Sequence, residues 1–179
     1  MEAGRRAIAM SAGEASTKAG WARAFAKQAL SDLHAHEILA GSDADKCHRL
    51  HFLQMAAEKI CKAHLIDANG YEAMKPVHCI VAKHLPIIIR QLLVQHHQKN
   101  SVIRQRVRFA KHLGVEIDIL SPSCKAAGTR EENSEYPWSW ADLSIGIPCT
   151  FSFPNIDEND REFVPLIKLL RVAAESYVV

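Results

Sequence analysis

The chain has 179 residues, of which 48% are hydrophobic and 23% charged, and its formal net charge is +2. That length is enough for one domain with its own core, and the composition excludes extensive disorder. The five cysteines (Cys47, Cys61, Cys79, Cys124 and Cys149) are scattered and include no C-x-x-C pair, which argues against a disulfide framework and for a reducing compartment. No apolar run is long enough to span a membrane, and residues following Arg5 and Arg6 lack a signal-peptide core, so the expected location is the cytoplasm with no membrane contact.

Charge is unevenly distributed. Residues 1–112 carry 17 Lys and Arg against 9 Asp and Glu, whereas residues 113–179 carry 5 against 11. Either the acidic part docks on the basic part, which is the favoured expectation, or a basic face is left open for phosphates.

Residues 1–16 are rich in Ala and Gly and are expected to be flexible, leaving 17–179 as a single domain. Thr17 is placed to cap a first helix that carries Trp21, Phe25, Ala29 and Leu33 on one side and stops at Gly41. Ser42 and Asp43 open a second, in which Cys47, Leu50, Leu53, Ala57, Ile60 and Leu65 recur at helical spacing. Glu58 and Lys62 form an i,i+4 support on it, and Asn69-Gly70 ends it.

Pro76 suits the first turn of a third helix through Val77, Ile80, Val81, Leu85, Ile88 and Leu92. Pro86 falls inside that pattern and should kink it, because it lacks an N–H and crowds the preceding turn. Ser101 is the expected cap of a fourth helix that runs across Gly114 to Pro122. From Ser121 to Asp160 four prolines interrupt a stretch without helical period, and Ile145, Ile147, Phe151 and Phe153 suggest a short extended piece. Asp160 then caps a last helix through Phe163, Ile167, Leu170 and Ala174. The expected fold class is all-α, a bundle of four to five helices with a long irregular loop before the last.

The segment from His48 to Ala63, with Ala57-Glu58-Lys59 and Lys62-Ala63 at its centre, resembles the second helix of the HEPN domains. His78 and the Tyr136-Pro137-Trp138 turn are similar to a His and a Tyr-Pro element of that family, and the order of helices is similar over about residues 20–140. The resemblance implies a HEPN-like bundle that commonly forms a homodimer. It further implies a module that binds nucleotide, RNA or a partner protein in a toxin–antitoxin or defence-type system, with a nucleotidyltransferase or antitoxin as partner. Many HEPN proteins are metal-independent ribonucleases marked by Arg, four to six residues, then His, so that activity is the alternative; a purely structural partner protein is the third.

The ribonuclease spacing occurs at Arg106 and His112. At about 100° per residue these side chains point about 120° apart on a helix, and Arg106 falls in the apolar stripe, where a subunit interface would accommodate its charge. Arg104, Arg108, Lys111 and His112 share the polar face instead, with Arg108 and His112 one turn apart. The candidate catalytic residues are therefore Arg106, Arg108 and His112, and Arg104, Arg108, Lys111 and Trp138 are candidates for nucleic-acid binding. Trp138 and Trp140 either present a stacking platform or, as the favoured expectation, anchor their loop. His48, Arg49, His51 and His78 are candidates to line a polar groove. Ten histidines include no zinc-ligand pattern with a matching second pair, so no metal and no cofactor are expected.

Overall fold

The computed structural model describes residues 17–124 and 130–178. The flexible segment expected over residues 1–16 lies outside them. Helix α1 (Lys18–Ala40) starts where the Thr17 hydroxyl accepts the Gly20 N–H at 3.0 Å, and it ends at Gly41. Helix α2 (Lys46–Asn69) starts a few residues later than Ser42 and Asp43 imply. Ser42 closes the preceding turn instead: its hydroxyl donates to the Leu39 carbonyl and accepts the Ala44 N–H. Gly70, at φ 77°, ends α2 in the left-handed region that glycine enters without steric cost.

The α1–α2 hairpin forms half of the bundle. Leu33, Leu50, Leu53 and Ile60 are fully buried between its helices and their neighbours. Asp32 is buried as well, and it is matched by Lys59 Nζ at 2.7 Å and by the Gln28 amide at 3.0 Å.

The third helix departs from expectation. After a single turn, α3 (Tyr71–Met74), whose Tyr71 ring stacks on Trp21, the chain is irregular until α4 (Val81–Gln95). Pro76 is not in its first turn. The N-terminus of α4 is set by a distant residue, Asp118, whose two carboxylate oxygens accept the N–H groups of Val81 and Ala82 at 3.1 and 2.9 Å. No local pattern reveals such a cap. Helix α4 then continues through Pro86 to Gln95.

Helix α5 (Asn100–Leu120) runs unbroken across Gly114, as its apolar period implies, and begins one residue before Ser101. A Cβ at Gly114 would lie 3.0 Å from Ala82 Cα and 3.1 Å from the Val81 carbonyl oxygen. The missing side chain is what lets α5 approach α4 closely enough for Asp118 to cap it. Cys79 and Cys124 are joined in a disulfide with Cα atoms 5.1 Å apart, which corrects the expectation that the cysteines are unpaired. They are 45 residues apart in sequence, and only the fold brings them together.

Between α5 and the last helix the described chain is irregular, apart from two 3-10 turns and two short antiparallel strands, β1 (Trp138–Ser139) and β2 (Ile145–Gly146). Lys46 at the start of α2 fixes the end of this loop. Its ammonium donates to the carbonyls of Ser152, Phe153 and Ile156 at 2.9, 3.1 and 2.6 Å. Phe153 takes a left-handed φ of 47° to present its carbonyl there while its ring enters the core.

Helix α6 (Phe163–Glu175) packs on α1, α2 and α4 through Phe163, Leu166, Ile167 and Leu170. It starts slightly after Asp160, whose carboxylate accepts the Glu162 N–H and whose carbonyl accepts that of Phe163. The described residues thus form a mostly helical bundle with one two-stranded sheet, and none of its helices is long and apolar enough to cross a membrane.

Replacing Lys46 with Ala would leave three carbonyls without their shared donor. The expected loss is about 2 kcal/mol, read as a lower urea midpoint. A midpoint equal to wild type would show that the loop is held by other contacts.

Candidate functional site

His51, Gln54, Glu58 and Lys62 recur every three or four residues on α2 and therefore lie along one side of it. Gln54, Glu58 and Lys62 are buried. The Glu58 carboxylate accepts from Lys62 Nζ at 2.8 Å, from His78 Nδ1 at 3.3 Å and from the Gln54 amide at 3.3 Å. Lys62 also donates to the Lys75 carbonyl at 3.3 Å, so one buried ion pair ties α2 to the segment that carries His78. Because Nδ1 donates to Glu58, Nε2 is directed away from that contact, on a side chain that is 43% exposed.

Further along the seam, His51 Nδ1 lies 3.8 Å from the Glu135 carboxylate. Asn133 shapes the turn that carries Glu135 by accepting the N–H groups of Glu135 and Tyr136. Behind Glu58, burial pushes the Cys61 thiol far up, so it stays protonated. Burial also raises Asp118 above the ordinary carboxylate range, although its two bonds from backbone N–H groups oppose the shift.

The structure separates the four residues expected to line one groove. His51 and His78 both reach the seam, whereas His48 is exposed. Arg49 points elsewhere: its Nε donates to the Glu158 carboxylate at 2.8 and 3.0 Å, and Nη1 donates to the Ala44 carbonyl. The residues that organise the seam, Gln54, Glu58 and Lys62, read in sequence as an ordinary helix surface. Their one signal is a polar row in phase with His51, immediately beside the apolar row Leu53, Ala57 and Ile60.

A second feature lies on α4 and α5. Residues 81–113 contain seven Lys and Arg and no Asp or Glu. Six of the seven (Lys83, Arg90, Lys99, Arg104, Arg108 and Lys111) are exposed, and none forms an ion pair among the described residues. Arg106 is the exception. It pairs with Glu162, which also accepts from the Gln105 amide, so its charge is matched within the chain. His112 is exposed on the polar face with Arg108 and Lys111. Between the two helices lies a groove of about 660 Å³ whose apolar surface comes from Pro86, Ile87, Val94 and Val107, with Arg90 at its edge.

Trp138 is only 7% exposed. Its ring packs edge-on against Trp140 and Phe151, with centroids 5.7 and 5.3 Å away, and Gly146 lies against its indole. It anchors the loop and has no open face on which a base could stack. Among the described residues, no cluster of three or more His, Cys, Asp or Glu side chains could hold a metal ion.

Fold and site together define an all-α bundle with an internal charged seam and one strongly basic outer face. No family model matches the chain, and no curated protein or solved structure matches it either.

Glu58→Gln would leave Lys62 buried without its counter-charge, and the expected loss of stability at neutral pH is about 3 kcal/mol. Combining it with Lys62→Met should recover most of that loss in the same urea titration. A single substitution without effect would mean that Lys62 escapes to solvent at no cost.

Proposed function

We propose that this chain is a HEPN-like binding module that takes single-stranded RNA along the α4–α5 face. The supporting observation is the run of six exposed Lys and Arg residues without ion-pair partners among the described residues, in a stretch that contains no acidic residue. Phosphates would lie along Arg104, Arg108 and Lys111, and bases would contact the aliphatic groove of Ile87, Val94 and Val107. With no aromatic side chain lining the groove and Trp138 buried, recognition is sequence-tolerant and dominated by backbone charge. A nucleotidyltransferase or antitoxin as partner belongs to the same proposal and rests on the HEPN resemblance alone.

Changing Arg104, Arg108 and Lys111 together to Ala should weaken binding of a single-stranded RNA and reduce the slope of log K against log salt by about 2. Fluorescence anisotropy across a salt series measures both, and a slope unchanged by the triple substitution would end the proposal.

Metal-independent ribonuclease activity is the alternative, carried by Arg108 and His112 one turn apart on α5. Cleavage in the presence of a chelator that His112→Ala reduces about a hundred-fold would establish it. We expect no cleavage by the wild-type chain. The homodimer implied by the same resemblance is expected to show twice the chain mass in light scattering at tens of micromolar, about the range for a modest interface. A single-chain mass at that concentration removes the dimer and leaves RNA binding unaffected.

A further inference from the structure

The loop between α5 and α6 is the acidic counterpart of the basic α4–α5 hairpin. Residues 131–160 contain seven Asp and Glu and no Lys or Arg, the reverse of residues 81–113. Four of the seven, Glu131, Glu135, Asp142 and Asp157, are exposed. Asp142 sits at the tip of the β1–β2 ribbon and forms no ion pair among the described residues. The Ser144 hydroxyl and N–H donate to it at 2.6 and 3.0 Å, which holds its carboxyl below the usual carboxylate range and keeps it charged.

The same ribbon carries an uncovered apolar side. Its register pairs Trp138 with Gly146 on the buried side and Ser139 with Ile145 on the exposed side. Ile145 is 73% exposed, and Ile147, two residues further in extended backbone, shares its side. Leu143 at the tip is 84% exposed and holds a left-handed φ of 67°, a costly conformation for a leucine whose side chain is almost entirely in water. Apolar side chains gathered at one tip and rimmed by carboxylates mark a contact surface.

The α4–α5 groove has the complementary make-up. Its apolar floor includes Ile87, Val94 and Val107. Lys83 and Arg90 stand one turn before and after Ile87 on α4, and Arg104 and Lys111 one turn before and after Val107 on α5. Among the described residues only α4 and α5 line the groove, so the ribbon of the same chain does not fill it.

We infer that the acidic β1–β2 ribbon of one copy docks in the α4–α5 groove of a second copy and closes that groove to RNA. Leu143, Ile145 and Ile147 cover the apolar floor, while Asp142 meets the flanking Lys and Arg. A carboxylate beside an apolar edge offers this groove the same combination as a phosphate beside a base, so the ribbon is a competitor carried by the chain itself. Two different surfaces meet, and the contact is therefore head to tail. The inference rests on the anion-binding character of the α4–α5 face that the proposed function also uses, but the docking does not require RNA.

Two variants test it in sedimentation velocity: a ribbon variant with Asp142→Lys, Leu143→Ser and Ile145→Ser, and the triple Ala variant at Arg104, Arg108 and Lys111. Asp142→Lys alone replaces the first should the triple change disturb folding. The wild type is expected to self-associate at tens of micromolar, about the range for a modest interface, and less so as salt is raised. Each variant alone should associate about tenfold more weakly. Their mixture holds one intact ribbon and one intact groove and should form a one-to-one complex, which a short oligouridylate releases. A dimer built on any other surface would be indifferent to both sets of substitutions. A mixture that stays at single-chain mass, a wild type whose association neither variant weakens, or a complex that persists with RNA bound would overturn the inference and leave RNA binding standing. Association of the mixture by a chain that binds no RNA would support the docking and end the RNA proposal instead.

Discussion

Glu58 has almost no access to water, and a carboxylate in that position is tolerated only if its charge is matched where it stands. Lys62 supplies the match from one turn further along α2, and His78 and Gln54 occupy more of the carboxylate's acceptor capacity. Two of these contacts reach out of α2. Lys62 holds the Lys75 carbonyl and Glu58 holds His78, so the irregular segment before α4 is fixed in place by the need to satisfy one buried ion pair. The start of α4 follows from that segment and from the Asp118 cap, and with it the position of the α4–α5 hairpin.

The same economy explains how a chain with a net charge of only +2 comes to present a strongly basic face. Its acidic residues are largely consumed inside the structure. Glu158 is paired with Arg49, Glu162 with Arg106 and Glu116 with Arg130, and Asp118 is committed to the α4 N-terminus. The docking of acidic residues on the basic bundle and the exposure of a basic face are thus compatible, and both are present. Six of the cations left without an ion pair among the described residues lie on the α4–α5 hairpin.

The helices were legible where the signal is local. Thr17, Gly41, Gly70 and the period across Gly114 define ends or continuity through backbone geometry that neighbours in sequence determine. The start of α4 was not, because Asp118 is more than thirty residues away, and Pro76 offered a plausible but wrong local cue. The disulfide was hidden for a related reason: scattered cysteines carry no pairing information until the fold places Cys79 beside Cys124. At the candidate site, the exposed face of Arg104, Arg108, Lys111 and His112 follows from helical phase alone. The seam did not, since nothing in the order of residues tells that Glu58 and Lys62 are covered by a segment still to come.

The Cys79–Cys124 bond also changes the connectivity of the molecule. It closes the chain into a covalent ring that contains the whole of α4 and α5, while α1, α2 and α6 hang from the ring as two tails. A single peptide-bond cut at the exposed turn around His97, where the backbone reverses with a left-handed φ of 51°, opens that ring without dividing the molecule. The nicked protein keeps its full mass until a reductant is added and only then separates into two fragments, so the basic face would survive one proteolytic event as a single covalent unit.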